Sequence, residues 1–194
     1  MLGIYIGKNM EYLEGGRFGR ITKHLRKQGY ENEMEDILHD SKNFPKLKKP
    51  EQTKYVETVM GRMEKSIGKD NAERVLFECG VQCCGKSWSS FVKRIWNQSK
   101  SMNDFFIKLN EEEERYNTQF TYDPDRNSIA IERSKCVCGL INKGKPFKTH
   151  KSYCKCSIGH MSVFFNTVFN VKEVHIKQSI YSGSDTCKWH IQLK

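Results

Sequence analysis

No stretch of the 194 residues approaches the roughly 18 consecutive apolar residues that a membrane-spanning helix needs. The apolar opening, Met1 to Ile6, is too short for the core of a secretory signal. A cytoplasmic protein without a membrane partner is expected. Proline is scarce, four residues against 14 glycines, which excludes a polyproline or collagen-like chain. Low-complexity disorder is excluded as well, because 37% of the residues are hydrophobic and 11 Phe, 8 Tyr and 3 Trp are among them. The six histidines (His24, His39, His150, His160, His175, His190) form neither H-E-x-x-H nor H-x-x-x-H, and no glycine-rich phosphate cradle or G-x-S-x-G elbow occurs. Acid is missing from one stretch altogether. Arg133 to Lys155 holds Arg133, Lys135, Lys143, Lys145, Lys148, Lys151 and Lys155 and no Asp or Glu.

A chain of this length buries about 70% of its unfolded surface, enough for one core without disulfide staples. Its eight cysteines, in a reducing compartment, point to a metal or a redox site rather than to disulfides. The net charge of +10 is uneven: residues 116–194 carry twelve Lys/Arg against five Asp/Glu, whereas residues 51–115 are balanced at eleven each. Four of the cysteines lie in or beside the acid-free stretch.

Residues 1–50 read as a helical N-terminal extension, with weak helical signals at Ile21 to Lys27 and Met34 to Leu38, and residues 51–194 as a single cysteine-rich domain. Tyr55, Val56, Val59, Met60, Met63 and Ile67 recur every three or four positions and predict a helix over 51–67. Asp70 with Glu73 has the capping-box pattern for a second helix, ended by Gly80 and Gly85. Trp88, Phe91, Val92, Ile95 and Trp96 predict a third from Ser87 to about Lys100, and Ser101 with Asp104 caps a fourth that carries Phe105, Phe106 and Leu109. After Tyr116 the period changes to two. Phe120 and Tyr122, a turn at 123–127, then Ile129 and Ile131 read as a hairpin; Met161 to Phe169 reads as a helix, followed by a strand at Val174 and Ile176 and another from Cys187 to Leu193. Helices first and antiparallel strands later give an α+β fold, with N-terminal helices packed on one face of a C-terminal sheet.

The strongest chemical signal is Cys136-Val-Cys138 and Cys154-Lys-Cys156, the pairs separated by fifteen residues that begin with Gly139. Four thiolates suit tetrahedral zinc if each pair sits on a turn, and Gly139 and Ser157-Ile158-Gly159 allow such turns. An iron–sulfur cluster uses the same donors and stays an alternative. Four thiolates and one Zn²⁺ sum to −2, and the basic stretch supplies the neutralising cations. That stretch also interleaves Phe147, His150 and Tyr153 with lysines, so RNA binding through residues 133–155 is retained behind the metal reading. Cys79 and Cys83, with Cys84 adjacent, read three ways: buried small hydrophobes, additional ligands, or a redox pair. Cys187 falls on the apolar face of the last strand, and His150 and His160, beside the thiols, read as surface histidines first and as substitute ligands second.

Cys136-Val-Cys-Gly, Tyr153-Cys-Lys-Cys-Ser-Ile-Gly159, the aromatic-rich helix, Val174-His-Ile and Gly183 through Asp185-Thr-Cys-Lys-Trp-His-Ile191 together resemble the 4-vinyl-reductase-like domain. The resemblance is nearest to cysteine-rich bacterial relatives with a Cys-Gly-x-x-Cys segment like Cys79-Gly80-Val81-Gln82-Cys83, and it covers about residues 70–194. It implies the small-molecule-binding fold of heme–nitric-oxide-binding and vesicle-tethering proteins, a hydrophobic ligand between helices and sheet, and zinc on the paired cysteines. A neighbouring branch is similar to amino-thiazoline-carboxylate hydrolases, which implies a small hydrolase as the alternative to a binding or sensory domain. A thiol-redox enzyme using Cys79 and Cys83 is a further alternative. A homodimer is compatible with the chain.

Overall fold

The computed structural model describes residues 15–136 and 151–194. Their elements run α1 (Gly16–Lys27), α2 (Met34–Leu38), α3 (Lys49–Ile67), α4 (Lys69–Asn97), α5 (Met102–Glu113), β1 (Thr118–Asp123), β2 (Ser128–Arg133), α6 (Lys155–Asn166), β3 (Val171–Gln178) and β4 (Cys187–Leu193). The fold is α+β, as expected. The four strands form one antiparallel sheet in the order β1-β2-β4-β3, so β3 is an edge. No helix of the described residues is long and apolar enough to cross a membrane.

Period-two patterning places the sheet. Phe120, Ile129, Ile131, Trp189 and Ile191 are buried, and their neighbours Thr121, Ala130, Glu132, Lys188 and His190 lie on the opposite face, exposed or partly so. α5 and α6 cover the apolar face, where Phe105, Leu109, Phe164 and Phe165 join the strand residues in one hydrophobic cluster. A second cluster is helical: Phe18, Ile21 and Leu25 of α1 and Ile37 and Leu38 of α2 pack with Val59, Met60 and Met63 of α3 and Val75 and Leu76 of α4. Residues before 50 thus share a core with the helices that follow.

α4 links the two clusters through a break. Gly85 has φ 54 and ψ −171, a conformation disfavoured for residues with a side chain, so the first helical run stops there, as expected, and the second runs on in a new direction. Gly80, expected to help end the helix, is interior to it. A Cβ there would lie 1.8 Å from the carbonyl oxygen of Cys156, and one on Gly159 would lie 2.1 Å from the carbonyl oxygen of Phe77. The two glycines let the backbones of α4 and α6 touch.

Other expectations need correction. The N-cap of α4 is Gly68 and no side chain caps it, so Asp70 falls one position inside the helix instead of at its start. Ser101 does cap α5, accepting a hydrogen bond from the Asp104 N–H at 3.2 Å while Lys100 N–H donates to Asp104 Oδ2 at 2.7 Å. α6 begins six residues before Met161, and Ser157-Ile158-Gly159 is helix rather than a turn, because Gly159 is needed at the crossing with α4.

Candidate functional site

Three antiparallel partners form a polar rung at the end of the sheet's buried face: Thr118 opposite Arg133, and Arg133 opposite Cys187. Arg133 has the same strand parity as Ile129 and Ile131, so its guanidinium enters the core. It is paired there. Arg133 Nε donates to Thr118 Oγ1 at 2.7 Å, and Nη2 meets Glu113 Oε2 at 3.1 Å with both side chains buried. Burial pushes the Glu113 carboxyl upward, and the guanidinium opposes that push.

Cys187 is 5% exposed. Its Sγ accepts the backbone N–H of Ile180 at 3.3 Å, a contact supplied by the Ser179–Ser182 turn between β3 and β4. Cys136, three residues beyond the end of β2, is hydrogen-bonded to it, and that contact does most to bring the Cys187 thiol down to about 7. The Ile180 N–H and the Arg133 charge act in the same direction, against desolvation.

The described thiols meet in pairs. Cys136 lies with Cys187, while Cys156, in the first turn of α6, neighbours Cys79 of α4. Burial pushes Cys79 up to about 12, with the Cys156 thiol adding to the rise, and burial likewise raises Cys84 to about 11. Cys83 is exposed. Cys136 and Cys154 are half-buried against the same helical core. Cys138 lies outside the described residues, as do Lys143, Lys145, Phe147, Lys148 and His150. Among the described residues no three Cys, His, Asp or Glu side chains gather as a metal site. His160 is not a surface group: its ring packs against Trp88 and Phe164, and burial lowers its pKa to about 4, with Arg133 contributing.

Beside the thiols a cleft of about 780 Å³ opens between the start of α4, the start of α6 and the β3 edge. Its apolar lining comes from Phe77, Ile158, Val174 and Ile176, and Ser179, Ser182 and Ser184 give it hydroxyls. Charged groups surround these. Lys155 is bound to Glu73 at 2.8 Å, leaving Arg74 and Lys177 against Asp70. The hydroxyl-bearing wall is the same turn that holds Cys187.

The site's centre departs from the four-cysteine set. Arg133 looked like one more cation of the basic stretch and Cys187 like filler, yet a charge at a strand's inward parity, after Ile129 and Ile131, is a readable sign of a buried polar group. The Ile180 N–H has no side-chain signature.

A family model described as "Family of unknown function (DUF6144)" matches residues 19–194. No curated protein matches the chain.

Proposed function

The chain belongs to that family of unknown function, and from its own cleft we propose that it is a small-molecule-binding or sensory domain whose ligand joins an apolar body to an anionic end. The carrying observation is the cleft itself, a volume within the range of small-molecule sites whose apolar strip is flanked by hydroxyls and by cations in excess of acids. An apolar body would cover Phe77, Ile158 and Ile176, and a carboxylate or sulfonate would face Arg74 or Lys177.

The test uses 8-anilinonaphthalene-1-sulfonate, which has both parts, displaced in turn by octanoate, octanol and octylamine. One probe per chain, with octanoate the best competitor and octylamine the worst, is expected. Ile176→Glu, which puts a charge on the apolar strip, abolishes probe binding. Displacement indifferent to head-group charge, or probe binding unaffected by Ile176→Glu, overturns the proposal.

A second reading is zinc held by Cys136, Cys138, Cys154 and Cys156. One observation favours it: Cys136 and Cys154 come from opposite ends of the basic stretch and both pack against the helical core. Structural zinc contributes roughly 10–16 kcal/mol in small peptides, so its loss would be conspicuous. One zinc per chain in anaerobically purified protein, and a melting temperature that falls with chelator, are expected. Metal-free protein indifferent to chelator overturns this reading and leaves the cleft untouched.

A further inference from the structure

A second groove, of about 450 Å³, lies where α1 packs on α4, and it shares no described lining residue with the cleft beside β3. Arg20, Lys23 and Arg26 of α1 line it together with Gln82 of α4, and no Asp or Glu is among its described lining residues. Positions 20, 23 and 26 follow one another along one side of the helix and span about 9 Å by the helical rise. No ion pair among the described residues engages any of the three.

Gln82 separates this groove from an ordinary solvated helix face. His24 is 5% exposed and brings its Nε2 to 3.0 Å from Gln82 Oε1. A carboxamide oxygen only accepts, so the ring nitrogen donates, and a buried partner holds the amide in place. The other end of that amide carries two N–H donors with no partner among the described residues, on a side chain that lines the groove. Gly16, at the start of α1, adds no side chain, and nothing lies within 4 Å of the position its Cβ would take, so the groove stays open there.

We propose that this groove binds a small oligophosphate, the di- or triphosphate portion of a ligand. Three cations without a facing acid match an anion of several charges, whereas a lone carboxylate leaves two of them unanswered. An arginine fork gives a phosphate two parallel N–H···O bonds, Lys23 adds a point charge, and the Gln82 amide binds an oxygen without adding charge. The volume is that of a small-molecule site. A strip of about 9 Å is short beside the extended basic grooves that track a nucleic-acid backbone, so the small anion is the occupant favoured. The site depends on neither the ligand of the β3 cleft nor the zinc.

Calorimetry on the full chain at physiological ionic strength compares sodium triphosphate, ATP and sodium sulfate. One triphosphate per chain, held about tenfold or more tighter than sulfate, is expected. ATP tighter than triphosphate assigns the site to a nucleotide and equal binding to the free phosphate chain; either supports the proposal. Arg20→Gln with Arg26→Gln should weaken triphosphate about tenfold or more, and Gln82→Leu, which keeps every charge, about threefold or more. Lys42→Gln with Lys46→Gln removes the same charge outside the groove and should change affinity less than about twofold. In the unsubstituted chain triphosphate should protect Lys23, but not Lys42 or Lys46, from acylation mapped by mass spectrometry, a readout that stands even if a variant fails to fold. No saturable triphosphate binding, sulfate bound as tightly, equal losses in the two charge-removing variants, or an oligouridylate held more tightly than triphosphate through Arg20 and Arg26 overturns the proposal.

Discussion

Arg133 lies directly across the β2–β4 ladder from Cys187, and its guanidinium is the cation beneath that sulfur. It is itself held by Glu113 at 3.1 Å. A buried ion pair is weak evidence of net stabilisation, but removing one member leaves an uncompensated charge, which costs roughly 3–5 kcal/mol. Glu113→Ala should therefore lower unfolding stability by about that amount, while the double variant Glu113→Leu with Arg133→Met should recover most of it. Urea melts of the single and double variants check this, and equal losses in both would show that the pair is not the source of the cost. In the double variant Cys187 also loses its cation, so its alkylation at neutral pH should slow.

The α4–α6 crossing tests a different term. By helix propensity alone Gly80→Ala should stabilise an interior helical position by about 1 kcal/mol. The new methyl would stand 1.8 Å from a backbone carbonyl oxygen that cannot move without displacing α6, so packing decides the sign. A loss of at least about 3 kcal/mol is expected for Gly80→Ala and for Gly159→Ala, toward the upper end of overpacking costs. Gly15→Ala, with open space around its Cβ position and φ −102, should stay within about 0.5 kcal/mol of the parent. Thermal melts of the three variants decide; a stable Gly80→Ala protein would mean that the two backbones do not meet.

Those glycines show where sequence patterning is informative and where it stops. Periodicity located the strands and most helices because each buries one face: Val56, Val59, Met60 and Met63 mark α3, and the alternation from Cys187 to Leu193 marks β4. Close backbone approach has no periodic signature, so Gly80 and Ser157-Ile158-Gly159 suggested ends and turns where the chain is continuous helix. The same blindness affects the site. Cysteine spacing along the chain groups 136 with 138 and 154 with 156, whereas strand register sets Arg133 opposite Cys187, and register depends on pairings between segments some fifty residues apart.

Thiol environments predict an order of labelling. Cys83 is exposed on α4 and should alkylate first, with Cys187 following at neutral pH through its lowered pKa despite its burial. Cys79 and Cys84, buried and pushed up to about 12 and about 11, should remain unmodified until the protein unfolds. Timed iodoacetamide labelling with mass-spectrometric mapping reads the order directly. Early modification of Cys79 would place that thiol outside the core.

His160 gives the pH dependence. Its ordinary value of 6.5 falls to about 4 in the fold because the ring is buried among Trp88 and Phe164, with Arg133 adding repulsion, so the native state holds the neutral form. The unfolded chain binds a proton at higher pH than the native state does. The stability linked to this ring is therefore complete above pH 6.5 and is lost progressively as pH falls toward 4. Its size is at most roughly 3 kcal/mol. Replacing the ring with one of similar size that binds no proton, as in His160→Phe, should flatten that part of the curve while leaving stability at pH 7 to 8 within about 1.5 kcal/mol of the parent. Urea midpoints measured from pH 4 to 8 on both proteins check it, and an unchanged slope in the variant would assign the acid sensitivity to other groups.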